Sequence, residues 1–472
     1  MKASKALSPA SRPFGLRDCF GYLMGDFGCN MSFALISNYM MLFYTQFIGI
    51  SLVHYGFIIL FTKIWDAIND PIIGAISDRL TPKSGDKFRP WIFWGSFPLA
   101  FSACLLFLDT RSWPYHIRIL ACIIGYLIWD ILYTVVNVPY GSMNATITAS
   151  PGERSQLSTW RSFGSIVAAL PISIFLPQIL YKKVAVSGAE KSIFQGQLLW
   201  IVAVVMGVIA LISFQLLYRL CTERITHPNR PRLTLNYFNT LIRFFTNRSM
   251  LAVAIAALMQ TIFIMSNAST NALVFQMYFG DGSLASYSTV STVITIIAAP
   301  LVRPLVEKFG KKALCTWPML LCVVAYMLIL VVPNISPVLF ISLMTLASIG
   351  NVFYTMVGWA LVSDCIVSME YQSGMREEGS IYATYSMVRK IGQGIGQSIV
   401  PFAIILTIPG LKLDDAATWS PAYGLAIKNF AALLPLIGAL ATFLCFRLIY
   451  DLDSKKLTEI ETALRHIDTS ME

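Results

Sequence analysis

The chain of 472 residues is 56% hydrophobic and 13% charged, and it has a formal net charge of +10. Soluble domains average about 45–50% apolar and about 25% charged residues. The composition therefore excludes an ordinary soluble protein and predicts one that is embedded in a membrane. The positive charge does not indicate a nucleic-acid partner, because most of the 35 lysines and arginines lie in segments between apolar stretches, on the side of the N-terminus.

Twelve apolar stretches are predicted to cross the membrane as helices, since a hydrocarbon core of roughly 30 Å takes about 20 helical residues. In chain order they lie near residues 18–47, 52–77, 90–108, 117–147, 158–180, 195–220, 249–278, 285–306, 313–332, 336–367, 380–408 and 422–450. The distribution of Lys and Arg follows the positive-inside rule and predicts that both termini are cytoplasmic. We expect a multi-pass protein of the cell (inner) membrane.

A long polar break divides these stretches into two sets of six. The predicted organisation is an N-terminal half at 1–221, a central cytoplasmic loop at 222–248, a C-terminal half at 249–450 and a cytoplasmic tail at 451–472. A basic turn recurs at 74–91 and 303–317, after the second and the eighth stretch, which indicates a duplication. Parallel repeats of six helices are typical of the major facilitator fold, which binds its substrate near the membrane midplane.

The second stretch carries charged residues within its apolar run. Lys63, Asp66 and Asp70 lie at i, i+3 and i+7 and share one helix face, with Asn69 beside it. A charge that faces lipid costs about 2.5–3.5 kcal/mol, so this face is predicted to point into the bundle. Two carboxylates with a nearby amide can bind Na⁺ or share a proton. A structural ion pair between Lys63 and Asp66 is the alternative.

Polar residues in other stretches could line the same cavity. They are Asp26 in the first stretch, Asp130, Tyr133, Thr134 and Asn137 in the fourth, Arg161 in the fifth and Lys390 in the eleventh. Pro139 and Gly141 are predicted to interrupt the fourth helix and free backbone carbonyls for the cavity. Arg161 could instead extend its charge to the membrane surface, and Asp130 could serve only local packing.

With these motifs the chain resembles the glycoside–pentoside–hexuronide:cation symporter family, which includes the melibiose and glucuronide carriers. The resemblance rests on "GD" at 25–26, "WDAINDP" at 65–71, "GDKFRPW" at 85–91, "YTVVNVPYGS" at 133–142 and "GMREEGSIYATYSMVRK" at 374–390. It extends over nearly the whole chain. It implies an all-α integral membrane protein of the major facilitator superfamily, with twelve transmembrane helices in two six-helix halves.

The resemblance also implies roles for individual residues. Those that match the cation site are Asp66, Asn69, Asp70 and Thr134, with Asp66 and Asp70 as the metal ligands if Na⁺ is the cation. Those that match sugar-binding positions are Asp26, Tyr133, Asn137, Arg161 and Lys390.

Two single positions and one segment of three residues depart from the melibiose-type pattern. Asn137 and Gly141 stand where melibiose-type carriers have Asp and Trp, which favours the glucuronide-carrier branch. Asp130 is a hypothetical replacement for the missing acid. The residues Val367–Met369 also depart; they are expected in a cytoplasmic loop, where they would alter gating rather than substrate choice.

The sequence therefore predicts a secondary active symporter that takes up a glycoside or hexuronide with Na⁺ or H⁺ by alternating access. It is expected to act in the lipid bilayer as a monomer, with no cofactor besides the transported cation. A carrier of another cargo on the same fold, such as a lysolipid, and a non-transporting membrane sensor are the alternatives. An enzyme is not expected, because the GxSxG, HExxH and GxxxxGK[ST] patterns do not occur, and no catalytic residue is predicted.

Overall fold

The computed structural model describes residues 12–79, 86–148, 150–186, 189–224, 237–373, 378–408, 411–453, 455–460 and 462–463. The helices are α1 (Leu16–Leu42), α2 (Leu52–Arg79), α3 (Arg89–Leu106), α4 (Tyr115–Ile147), α5 (Pro151–Leu180), α6 (Gln197–Leu220), α7 (Tyr237–Thr246), α8 (Arg248–Leu273), α9 (Thr289–Phe309), α10 (Lys311–Thr316), α11 (Pro318–Val331), α12 (Pro337–Ser373), α13 (Glu378–Thr407) and α14 (Pro421–Leu444). Short π-helical turns follow α1, α8 and α14, at Phe43–Phe47, Val274–Tyr278 and Cys445–Ile449. Two strands, β1 (Tyr181–Val186) and β2 (Ala189–Phe194), lie between α5 and α6.

The long helices follow the predicted stretches. Within the described ranges, and with α10 and α11 taken as the two parts of one broken helix, there are twelve long helical segments. Seven described spans are long and apolar enough by themselves to cross a membrane. The helices α1 and α2 are not among the seven, and these two carry several of the charged residues singled out above. The all-α membrane architecture is therefore confirmed, while hydropathy alone identifies only some of its long helices as membrane spans.

The predicted interruption of α4 is wrong. The helix is continuous from Tyr115 to Ile147 with Pro139 inside it. Proline removes one backbone hydrogen bond, but the bonds before and after it remain. In an apolar environment, breaking the helix would leave several backbone N–H and C=O groups without hydrogen bonds. This costs more free energy than the single bond lost at Pro139, so the helix continues.

The segment between α5 and α6 forms a β-hairpin that the sequence analysis did not predict. Its strands pair antiparallel, with Tyr181 opposite Phe194 and Val186 opposite Ala189. Lys191 donates through Nζ to the backbone oxygens of Ala416 at 2.6 Å and Trp419 at 3.1 Å. The strands pair their backbone groups with each other, and the charged Lys191 is bound by backbone oxygens, which is compatible with a segment outside the lipid.

The contacts divide the chain into two compact units. The first contains α1–α6, the hairpin and two short segments at 280–286 and 411–419; the second contains α7–α14. In the first unit α1 packs on α5 and α6, and α4 packs on α2 and α3. In the second unit α8 packs on α13 and α14, and α12 packs on α9 and α11. Of the predicted central loop and tail, residues 225–236 and 464–472 lie outside the described residues.

A buried carboxylate ties the start of α1 to the end of α6. Asp18 is fully buried and binds the guanidinium groups of Arg12 and Arg224, each at 2.9 Å. It also accepts hydrogen bonds from the backbone N–H groups of Gly15 at 3.3 Å and Thr222 at 3.2 Å. Both carboxylate oxygens are thus satisfied without water, which is what a buried charge requires.

Replacing Asp18 with Ala is expected to lower the free energy of unfolding by about 3 kcal/mol, because it leaves the Arg224 guanidinium buried without its counter-ion. Thermal unfolding of the purified protein in detergent measures the loss. Asp109→Ala is the matched control, since the Asp109–Arg111 pair is about half exposed on both sides and such pairs contribute little. Equal unfolding temperatures for the two variants would contradict the assignment.

Candidate transport site

The two helices that carry the predicted cation residues pack side by side in a constant register. The Thr134 hydroxyl of α4 donates to Asp70 of α2 at 3.0 Å, a separation of 64 positions along the chain. The same offset recurs one turn later, where a Cβ added at Gly74 would lie 3.7 Å from Val138. One turn earlier the register brings Asp130 opposite Asp66. The α2–α4 interface is therefore a ladder of facing side chains rather than a single contact.

All four predicted cation residues lie on this interface. Asn69 and Thr134 are buried, at 5% and 2% exposure, while Asp66 and Asp70 are half-buried. Lys63 lies 3.8 Å from Asp66, one helical turn away on α2, and its ammonium lies 5.7 Å from the centre of the Tyr126 ring. The ion pair that the sequence analysis offered as the alternative for Lys63 and Asp66 is thus present, beside the oxygen groups that could bind a cation.

The oxygen groups of this interface fit a small, hard cation. Carboxylate, amide and hydroxyl oxygens are the groups that Na⁺-like and Ca²⁺-like ions prefer. Within the described residues no three His, Cys, Asp or Glu side chains converge closely enough to hold a metal ion by themselves. A cation here would therefore depend on Asn69 and Thr134 as well as on the carboxylates of Asp66 and Asp70.

A second polar cluster joins α1, α4 and α5. The Nε group of Arg161 donates to Asp26 at 2.9 Å, and the Asn30 amide donates to the other oxygen of Asp26 at 3.0 Å. The thiol of Cys29 donates to the Asn137 amide oxygen at 3.6 Å. Four of the five predicted sugar-binding residues belong to this part of the first unit. They are Asp26, Tyr133, Asn137 and Arg161.

Aromatic rings surround this cluster. The Tyr133 ring stacks on Trp129 with centroids 5.0 Å apart, and it lies 6.0 Å from the ring of Phe33. The guanidinium of Arg161 lies 5.1 Å from the centre of the Tyr140 ring, a cation–π contact. A sugar presents apolar faces and hydroxyl edges. The aromatic rings of this cluster match the apolar faces, and its carboxylate, amides and guanidinium can bind the hydroxyls.

The environment of Arg161 shows that it is more than a charge extended to the membrane surface. Its side chain is 40% exposed although its Nε group is paired with Asp26, whose side chain is 9% exposed. Gly141 lies beside it, since a Cβ at that position would be 3.9 Å from Nη1, an ordinary van der Waals contact. The pairing favours a place in this cluster over the alternative in which Arg161 simply reaches the lipid headgroups, and the exposed part of the guanidinium can still bind a ligand.

Lys390 lies on α13, in the second unit, and is half-buried. The nearby Arg389 guanidinium lies 5.1 Å from the centre of the Trp359 ring. The structure therefore places the fifth predicted sugar residue on a different unit from the other four.

Two further expectations need correction. Asp130 does not replace the missing acid at Asn137: it lies at the α2–α4 interface, close to Lys63, Asp66 and Asn69. The departure at Val367–Met369 is not in a loop, because these residues belong to α12, which continues to Ser373. Ser368 and Met369 are buried there. The sequence predicts a loop because the apolar stretch ends near residue 367, but the helix continues beyond it.

Sequence reasoning missed Asn30. It lies four residues after Asp26 on α1, and its amide binds both the side chain and the backbone oxygen of Asp26. The i, i+4 spacing within "GDFGCN" is a signal that could have found it, because side chains so spaced are neighbours on a helix.

The fold and the two clusters define a multi-pass membrane carrier, and comparisons with known proteins agree. A solved D-xylose–proton symporter superposes with a TM-score of 0.62 at 16% identity, over 92% of this chain and 97% of its own. A nucleoside transporter superposes with a TM-score of 0.61 at 12% identity, over 91% and 99%. These likenesses show the major facilitator fold.

The chain belongs to the family of MFS/sugar transport proteins, whose model matches residues 21–454. It is 29% identical to a glucuronide carrier protein homolog of Escherichia coli, over 94% of both chains. It is 26% identical to the isoprimeverose transporter of Lactiplantibacillus pentosus, over 97% of this chain and 95% of that one. The predicted family, fold class and transport function are therefore confirmed, and the chain is a sugar-transport protein of the major facilitator superfamily rather than an enzyme.

Proposed function

We propose that the protein takes up a glycoside or hexuronide together with Na⁺ or H⁺. The observation that carries this proposal is that α4 contributes to both clusters: Tyr133 belongs to the sugar cluster, and the next residue, Thr134, bonds to Asp70 of the cation cluster. A shift or rotation of α4 on binding one ligand changes the position of groups that bind the other. Each ligand should therefore raise the affinity for the other.

In this proposal Asp66, Asn69, Asp70 and Thr134 bind the cation, and Asp26, Tyr133, Asn137 and Arg161 bind the sugar. Lys390 stays a predicted sugar ligand by resemblance. The two predicted halves, at 1–221 and 249–450, would move as bodies in alternating access. The cation reduces the negative charge of α2, so that the loaded site can pass through the low-dielectric part of the membrane at lower cost.

The state of Arg161 favours an anionic sugar among the candidates. Within the described residues its Nε group donates to Asp26, and its Nη groups donate hydrogen bonds to none of them. Two parallel N–H donors match a carboxylate, which makes a hexuronide the preferred cargo. A relative of this chain is named for a glucuronide. We place the protein in the inner membrane with both termini in the cytoplasm, as the charge distribution indicates.

Uptake by cells that express the protein tests the proposal. A panel of glucuronides and their neutral glucoside counterparts is offered with and without Na⁺, and with and without an inward proton gradient. Accumulation of a glucuronide above its external concentration, dependent on one of the two cations, is the expected result. Equilibration without accumulation under all conditions would show that no cation drives transport. Uptake of glucosides alone would contradict the role given to Arg161.

A further inference from the structure

Asp130 is a buried acid that the proposed sites leave unexplained. It is 3% exposed, and its Oδ2 atom has no hydrogen-bond partner in the described part of the chain. Its neighbour across the interface, Asn69, is 5% exposed and lies close enough to interact with Asp130, although no hydrogen bond of ordinary length joins the two side chains. A buried carboxylate with so little hydrogen bonding destabilises a fold, which raises the question of what Asp130 contributes.

The register of the ladder places Asp130 beside Lys63. On α4, Asp130 follows Tyr126 by four residues and precedes Thr134 by four, so that the three side chains share one face. The Lys63 ammonium lies over the Tyr126 ring, 3.8 Å from Asp66. It is close enough to Asp130 to interact with it electrostatically, yet in the described structure its ion pair is with Asp66 alone.

Lys63 therefore forms an ion pair with one acid, Asp66, and lies near a second, Asp130. Asp66 is also one of the proposed cation ligands. A cation that binds Asp66 must compete with the Lys63 ammonium, because like charges repel strongly in a medium of low dielectric constant. A lysine side chain has a flexible four-carbon stem, and rotation about its bonds can move the ammonium from one carboxylate to another nearby.

We propose that Asp130 is a positioning residue for the cation site, which accepts the Lys63 ammonium when a cation binds Asp66. Lys63 then exchanges one ion pair for another, so its ammonium keeps a counter-ion in both states. This proposal rests on the proposed function in one respect: Asp66 is a cation ligand. A direct role for Asp130 as a third carboxylate ligand is disfavoured, because Asp66, Asp70 and Asp130 do not converge into a metal-binding group.

The test measures Na⁺ binding by purified protein in detergent, as equilibrium binding of radioactive Na⁺. Asp130→Asn is expected to lower the Na⁺ affinity about tenfold or more, a typical effect for a residue that orients the cation ligands without contacting the cation. The Lys63→Met variant should bind Na⁺ more tightly than the wild type, since it removes the competing charge.

The decisive comparison is Asp130→Asn in the Lys63→Met background. If Asp130 acts through Lys63, its replacement there should cost at least about fivefold less in Na⁺ affinity than in the wild type, because contacting residues show such non-additivity. An equal loss in both backgrounds would overturn the proposal in favour of direct attraction, which does not depend on Lys63. No loss in either background would also overturn it.

A second readout separates positioning from a purely structural role. Without Na⁺, Asp130→Asn should not lower the thermal unfolding temperature, because the variant removes a carboxylate oxygen that has no donor. Asp66→Asn should lower it, since it breaks the observed ion pair. A large drop for Asp130→Asn would mean that Asp130 holds the fold and would overturn the proposal.

Failure of this proposal is distinguishable from failure of the proposed function. If the wild type binds no Na⁺, the proposed exchange at Asp66 is overturned, while sugar accumulation driven by a proton gradient would still support symport. If the wild type binds Na⁺ but the two Asp130→Asn losses are equal, the symport proposal stands and only the exchange is wrong. Asp109→Asn, in an exposed pair, is the control that should leave Na⁺ affinity unchanged.

Discussion

Replacing Asp70 with Asn is expected to abolish accumulation of the sugar while leaving its equilibration across the membrane. The variant keeps the size of the side chain and an acceptor for the Thr134 hydroxyl, which lies at 3.0 Å. It removes one of the two carboxylate charges of the proposed cation site, so the cation affinity should fall by about 100-fold or more, the upper range for perturbing a metal site. Uptake by membrane vesicles with an imposed Na⁺ or proton gradient measures the loss.

Exchange of labelled for unlabelled sugar across vesicles supplies the control for Asp70→Asn. Exchange needs sugar binding and reorientation but no net cation movement, so it should persist. Thr134→Val is a milder companion variant, because it removes a hydroxyl and no charge; it should lower cation affinity less than Asp70→Asn. Uphill uptake at the wild-type level in Asp70→Asn would defeat the cation-site assignment.

Replacing Arg161 with Lys is expected to weaken hexuronide binding by about 10- to 100-fold, with a smaller effect on a neutral glycoside. Lysine keeps the positive charge near Asp26 but not the planar fork of donors, and such a change is not conservative at a site that binds a carboxylate in bidentate fashion. Each lost charged hydrogen bond accounts for about 1.5–3 kcal/mol, which corresponds to the stated range. Competition for uptake by unlabelled glucuronide and glucoside measures both affinities.

Loss of the ion pair must be separated from loss of the ligand. Arg161→Ala alone leaves Asp26, whose side chain is 9% exposed, without its counter-ion and could lower the amount of folded protein. The double variant Asp26→Asn, Arg161→Gln removes both charges, so folding should recover while sugar binding should not. Recovery of sugar uptake along with folding would show that the pair is structural.

The α2–α4 ladder shows how far a sequence can predict such a site. The shared face of Lys63, Asp66 and Asp70 follows from their spacing on one helix, because helical geometry is local. The cost of a charge in lipid then requires this face to point inward. Which residues of α4 meet this face does not follow, because α2 and α4 are separated by an intervening helix and the sequence does not contain their register. The pairing of Asp70 with Thr134 was available only by resemblance.

Asp130 illustrates the limit most clearly. The sequence offers it as a hypothetical replacement for the acid missing at Asn137, whereas the structure places it near Lys63, Asp66 and Asn69. A face of a helix spans about a third of its circumference, so residues at i, i+3 and i+7 can still meet different neighbours at its two edges. The rotation of α4 between α2 and α1 decides which edge meets which helix.

The hairpin between α5 and α6 was missed for a different reason. The segment 181–194 contains residues with strand preference around a Ser-Gly pair, a signal typical of a short hairpin. Between two apolar helices, a short polar segment is expected from sequence to be a loop. Its pairing with segments far along the chain, such as Lys191 with the backbone of Ala416, could not have been predicted from local pattern.

The sequence by itself determined that this protein is a bundle of membrane helices and which residues are too polar to face lipid, because hydropathy, helical periodicity and the cost of buried charge act within one segment. The tertiary structure alone decided the partners of those residues: that Asp26 is bound by Asn30 as well as Arg161, and that Asp130 lies beside Lys63 instead of Asn137. Such pairings depend on the rotation and shift of helices that are distant in the chain, and these are set by packing of the whole bundle.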